Sequence, residues 1–303
     1  MSTDTQSTRF RTDPAFKTFS AAAAVMILFY AILGDLIPSW VTYGLLAVGV
    51  AFLGLPHGAL DGILLRNSAF WQKRFAWLRF HLLYLVLAVA VVIAWWQAPV
   101  VGLTVFLIIS AVHFGGDFKP SPRPLQWLAG AWLLLLPIGF HTSAVSDLFV
   151  VLSGPEAAEL ARLLALPIPV LVLGGLMISL FLSKTRILLP VEIGLLLLLA
   201  WATPPLVYFT VYFCCLHSLR HFHRSWRHMP RDWRGRMRQE VVVYTLLTLL
   251  AAAMVGIWLS TGVEADALLM KLVFIGLAAL TVPHMLILSW AGPPPADCER
   301  NAD

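Results

Sequence analysis

Four histidines lie inside apolar stretches long enough to cross a bilayer: His57, His113, His217 and His221. An ionisable side chain in hydrocarbon is costly, and one kept there points to function. The segment His217-Ser-Leu-Arg-His221 has the i, i+4 spacing that stacks two rings on one helical face, where both can grip one metal ion. Two other histidines each stand four residues before an acid, in His57-Gly-Ala-Leu-Asp61 and His113-Phe-Gly-Gly-Asp117. A carboxylate accepting the distal N–H of a ligand histidine fixes its tautomer and strengthens the nitrogen that faces the metal. A lone intramembrane histidine is usually a helix–helix hydrogen bond; the set together specifies a buried metal site.

Four neutral imidazoles leave a divalent ion with its full charge and room for further ligands, a donor set that suits iron, copper or zinc. A zinc hydrolase would bring a carboxylate base and an aqueous cleft, whereas these histidines are walled by Leu, Val, Phe and Trp. A substrate that partitions into lipid and an oxygen-activating iron are the natural partners. Spacing alone goes no further.

The elements that must position these residues follow from composition. With 59% hydrophobic residues, 12% charged residues and a mean hydropathy of +0.82, the chain is far outside the soluble range. An all-α, polytopic membrane bundle is predicted, because lipid cannot satisfy an open strand edge. About ten spans (eight to ten) are long enough to cross, roughly 18–36, 38–58, 80–98, 99–117, 124–140, 168–183, 186–202, 204–223, 239–261 and 267–290. They form one integral-membrane catalytic domain over 18–290, between a cytoplasmic N-terminal segment, 1–17, and a cytoplasmic tail, 291–303. No removable signal peptide is expected.

Orientation comes from the basic residues. With both termini in the cytoplasm, all of the 21 Lys and Arg except Arg162 and Lys271 fall on the inside. The net charge of +5 is then a topology signal, and the basic loop 220–238 is read as a contact for anionic lipid headgroups, not for nucleic acid. Cys214, Cys215 and Cys298 suggest no disulfide framework. Spans two, four, eight and ten run inward, and at ~1.5 Å per residue their histidines, His284 included, sit about 20–28 Å from the outer ends. His81, His141, His223 and His228 fall at span ends or in the basic loop and read as surface residues. Tyr208, Tyr212 and Trp201 are candidates for the wall of a substrate tunnel, with core packing or an interfacial belt as the plain alternative.

Three other classes compete. Haem ligation needs facing histidine pairs, and here three helices supply one cluster. Membrane hydroxylases and desaturases of lipids carry more histidines than this chain can assign to a centre. A retinal carrier would want an intramembrane lysine for a Schiff base, and Lys271 lies near an outer helix end.

The motifs resemble those of the Brp/Blh family of bacterial and archaeal membrane β-carotene 15,15'-dioxygenases. The resemblance rests on Gly54-Leu-Pro-His57-Gly-Ala-Leu-Asp61, Val112-His113-Phe-Gly, Tyr212-Phe-Cys-Cys-Leu-His217-Ser-Leu-Arg-His221 and Phe274-Ile-Gly-Leu-Ala-Ala-Leu-Thr-Val-Pro-His284, in that order over most of the chain. It implies a non-haem Fe(II) held by His57, His113, His217 and His221. It implies β-carotene and O2 as substrates, cleavage at the central double bond, and retinal passed to a rhodopsin-type acceptor. The second motif is one residue shorter between glycine and acid than the family pattern, which weakens a supporting role for Asp117. Asp61, Asp117 and His284 are the candidates for residues behind the ligands, His284 reading as support or packing before a fifth ligand.

Overall fold

The computed structural model describes residues 13–65, 74–182, 188–229 and 231–291. The expected terminal segments up to residue 12 and from 292 onward lie outside them, as do Arg66, Lys73, Lys184 and Arg186. Among the described residues there is no strand. In chain order the helices are α1 (Pro14–Leu33), α2 (Ser39–Gly49), α3 (Leu55–Gly58), α4 (Asp61–Leu64), α5 (Ala76–Gln97), α6 (Pro99–Gly115), α7 (Arg123–Phe140) and α8 (Thr142–Ser153). Then come α9 (Ala157–Leu164), α10 (Ile168–Leu182), α11 (Leu189–Ala202), α12 (Pro205–Tyr212), α13 (Leu219–His228), α14 (Arg234–Leu259) and α15 (Ala265–Ala291). Two π-helical turns interrupt the ladder, Val50–Gly54 before α3 and Phe213–Ser218 between α12 and α13.

Local chemistry explains several of these boundaries. Asp13 caps α1 by accepting from the Ala15 amide at 3.0 Å, and Pro14 supplies a preset φ at the first helical position. Pro56 has no N–H to give to the turn before it and its ring crowds a carbonyl there. The backbone widens to π pairing over Val50–Gly54 just ahead of it. No comparable residue accounts for the second π turn.

Among the described residues six helical stretches are long and apolar enough to cross a membrane, or up to eight if each of two bent pairs counts as one span. The bent pairs are α7 with α8, turned by 107°, and α9 with α10, turned by 61°. The upper count stands at the low end of the eight to ten read from hydropathy, and two segments account for the difference from ten. The 186–202 segment holds α11, 14 residues long and short for a crossing. The 204–223 segment is split into α12, a π turn and α13. Large apolar side chains stay exposed along the long helices, among them Leu28, Val86, Leu246, Leu250 and Ile257, as lipid-facing residues must. The structure is thus that of a multi-pass membrane protein.

The chain divides into two compact units, Met1–Leu46 with Leu107–Arg220, and Ala47–Phe106 with His221–Asp303. In the first, α1 packs on α11, α12 and the Phe213–Ser218 turn, and α7 packs on α10 and α11. Two buried polar groups lock α7 in place. Trp132 Nε1 donates to the Leu171 carbonyl of α10 at 2.8 Å, and the Tyr208 hydroxyl donates to the Leu133 carbonyl at 3.0 Å. In the second unit α5 runs along α15, and α14 packs on α15 and α3. There Leu60, Ile63, Met229 and Met237 form a small core under Phe222 and Trp226. Arg234 lies over the Trp226 ring, 5.2 Å from its centroid.

Candidate metal centre

The first unit holds His113, Asp117, Tyr208, Tyr212 and His217. His113 lies in the last turn of α6, and Asp117 in the 3-10 turn that follows it. α6 reaches this position by close backbone approach to α7. A Cβ on Gly115 would overlap the Gln126 carbonyl oxygen, and one on Gly130 would overlap that of Ala111. Only glycine at both positions lets the helices meet so closely.

His217, on the second π turn, points its Nδ1 at Asp117 Oδ2, 2.9 Å away. The same oxygen accepts from the Tyr212 hydroxyl at 2.9 Å. A carboxylate can only accept, so His217 carries a proton on Nδ1, and in the neutral ring the lone pair lies on Nε2. That nitrogen faces His113 Nε2 at 2.9 Å. Phe114 and Phe213 pack on the His217 ring, at 4.9 and 5.9 Å between centroids, and help to bury it.

One helical turn beyond His217 lies a second buried polar group. Arg220 forks onto Glu192 of α11, with Nη1 to Oε1 at 2.9 Å and Nη2 to Oε2 at 2.6 Å, while its Nε donates to Asp13 Oδ2 at 2.7 Å. A bidentate pair of this kind fixes direction as well as charge. It ties the start of α13 to α11 and to the cap of α1.

The second unit holds His57, Asp61, His221 and His284. His57 follows the first π turn on α3, Asp61 opens α4, His221 lies on α13 and His284 on α15. Their ring centroids stand 4.1 Å apart for His57 and His221, 4.9 Å for His57 and His284, and 5.5 Å for His221 and His284. One ring nitrogen from each lies within 4.8 Å of the others. His284 Nδ1 donates to Asp61 Oδ1 at 2.7 Å, and its Nε2 faces His57 Nε2 at 3.3 Å. The Tyr84 hydroxyl shares its proton between Asp61 Oδ2 at 3.3 Å and the Leu280 carbonyl at 3.2 Å.

These donors fit a metal ion. Two imidazole nitrogens bound at about 2.1 Å, with ~90–110° between them, stand about 3.0–3.4 Å apart. The facing Nε2 pairs, at 2.9 and 3.3 Å, are set at nearly that separation. In each, one partner has its proton drawn to the far side of the ring by a buried carboxylate.

Other expected site residues are placed differently. Each acid reaches a histidine on another helix, where the His-x-x-x-Asp spacing had suggested the histidine of its own motif. Despite the shorter second motif, Asp117 stands directly behind His217. Tyr208 and Tyr212 are buried with their hydroxyls engaged, and Trp201 is 62% exposed at the end of α11. Two histidines read as surface residues make specific contacts, His81 Nε2 with the Tyr244 hydroxyl at 2.9 Å and His141 Nε2 with the Ala200 carbonyl at 2.8 Å. Tyr84 and Glu192 carry no local motif, and Arg220, read as the start of the lipid-facing basic loop, is instead buried on Glu192 and Asp13.

Fold and site together define a multi-pass helical membrane protein with buried, carboxylate-braced histidines able to hold a metal ion. A family model described as beta-carotene 15,15'-dioxygenase matches residues 48–291, and the chain belongs to that family. It is 33% identical over 253 residues to the beta-carotene 15,15'-dioxygenase of an uncultured marine bacterium, 66A03, covering 80% of this chain and 90% of that protein. It is 27% identical over 293 residues to the probable beta-carotene 15,15'-dioxygenase Blh of Halobacterium salinarum, covering 82% of this chain and 84% of that one. No solved structure matches the chain.

Proposed function

We propose that this chain is an iron dioxygenase that cleaves β-carotene at its central 15,15' double bond and yields two molecules of all-trans-retinal. The family match supplies the reaction. The observation that carries the site is the His217–Asp117 hydrogen bond, which leaves a lone pair on the nitrogen facing His113. His57, His113, His217 and His221 hold a non-haem Fe(II), with Asp117 and Asp61 behind the cluster. Iron, when bound, supplies the O2 chemistry that carbon–carbon scission needs. The reaction balances on O2 alone: one C=C bond breaks, and each of its carbons gains one oxygen as an aldehyde.

The protein's own work is placement and exclusion. Apolar walls admit a polyene from the bilayer and keep water from the reacting carbons. Buried Tyr208 and Tyr212 belong to that wall, and Trp201 meets the substrate on the lipid side. The 18–290 region works as one catalytic domain in the cell's inner membrane, with eight to ten spans, both termini in the cytoplasm and the basic loops against anionic headgroups. This orientation is supported by the sidedness of Lys and Arg. Retinal leaves for a rhodopsin-type acceptor.

The test is incubation of the detergent-purified protein with β-carotene under labelled O2, followed by chromatography and mass analysis. Retinal as the sole carotenoid product, carrying label, is expected. Unequal aldehydes would overturn central cleavage, and intact carotenoid from iron-loaded protein would overturn the activity.

A further inference from the structure

The two units repeat one chemical arrangement with different residues. In the first, the acid of a His-x-x-x-Asp motif, Asp117, holds Nδ1 of a histidine from a distant helix, His217, at 2.9 Å. The Nε2 of that histidine then faces the motif's own His113 at 2.9 Å, and Tyr212 donates to the acid. In the second, Asp61 holds Nδ1 of His284 at 2.7 Å, the Nε2 of His284 faces the motif's own His57 at 3.3 Å, and Tyr84 stands at the acid. His284 thus stands to His57 as His217 stands to His113.

From this correspondence we propose that His284 is a metal ligand, binding through Nε2 the iron that His57 and His221 bind. The inference rests on the reading that those two histidines hold iron. Three observations support it beyond the parallel. The ring nitrogens of His57, His221 and His284 lie within 4.8 Å of one another, close enough to share one ion. His284 is 3% exposed and Asp61 1% exposed, so a carboxylate has been buried in an apolar bundle to serve this ring. A histidine kept for packing has no need of it, whereas a ligand gains basicity at Nε2 from a carboxylate at Nδ1. Pro283 sits immediately before His284 inside α15. The ring therefore hangs from a stretch of helix where the backbone ladder lacks a donor and can adjust toward the ion.

The test uses the full chain in detergent without oxygen, loaded with Fe(II), and compares wild type with His284→Ala and His284→Gln. Iron affinity is measured by competition with a chelator, and the number of coordinated imidazoles by X-ray absorption at the iron edge. Iron affinity about tenfold or more weaker in both variants, with one imidazole fewer at the metal, is expected. Added free imidazole should restore affinity to His284→Ala, an effect that a packing role does not produce. An unchanged imidazole count in iron-loaded His284→Gln would overturn the inference while leaving the other histidines as ligands. Should a variant fail to fold, the wild-type spectrum still decides, since it must show a five-imidazole shell and a four-imidazole shell overturns the inference. Wild type that binds no iron would sink the reading on which the inference rests.

Discussion

Asp117 and His217, 100 residues apart in the chain, meet through a 2.9 Å hydrogen bond inside an apolar bundle. That bond decides which nitrogen of His217 can bind a metal. With the proton on Nδ1, the opposite nitrogen is the base, and it points at His113.

Asp117→Asn keeps the size of the side chain but removes the charge that steadies the Nδ1 proton. Iron affinity should fall about 10–100-fold, as for other residues behind metal-bound histidines. Anaerobic titration with Fe(II) checks this. Unchanged affinity would mean that the carboxylate serves folding alone.

Tyr212→Phe removes a donor to the carboxylate oxygen that also accepts from His217. The His217 bond survives, so a smaller loss is expected, under tenfold in iron affinity, with a stability cost of about 1 kcal/mol. Tyr208→Phe frees the Leu133 carbonyl and should lower the thermal midpoint without touching iron affinity. The two variants measured side by side separate the roles.

Glu192→Ala takes the forked carboxylate from Arg220, which is 6% exposed, and leaves its guanidinium the hydrogen bond to Asp13. Breaking a buried pair in this way costs about 3–5 kcal/mol. The thermal midpoint in detergent should fall steeply. Arg220→Lys should fall as well, because an ammonium cannot make the two parallel bonds of the guanidinium.

Gly115→Ala and Gly130→Ala place a methyl group onto a backbone carbonyl of the facing helix, where no side chain can swing away. About 1–3 kcal/mol of destabilisation is expected for each. Since α6 carries His113, iron retention after gel filtration should fall too.

Much of this was legible in one dimension. The expected 80–98, 99–117, 239–261 and 267–290 spans fall on α5, α6, α14 and α15, because long uninterrupted apolar runs leave the backbone no other solution. The segment between 140 and 168 was silent, since α8 and α9 are too short and too polar to register as spans. Hydropathy also could not foresee that 204–223 would break at a π turn. The histidines stood out because their surroundings are apolar. Their partners did not, because Asp61 and His284 are 223 residues apart, and no periodicity links residues so distant. The acids were noticed for the wrong neighbour: spacing offered each the histidine of its own motif, and packing gave it another's.

The most direct test of a four-histidine iron centre is the iron content of the purified protein with alanine in turn at His57, His113, His217 and His221, measured alongside retinal formed from β-carotene. The account predicts about one iron per chain in the wild type, and loss of both iron and retinal in each variant that still elutes as folded protein. A folded variant at any of the four that retains full iron and full retinal formation would contradict it.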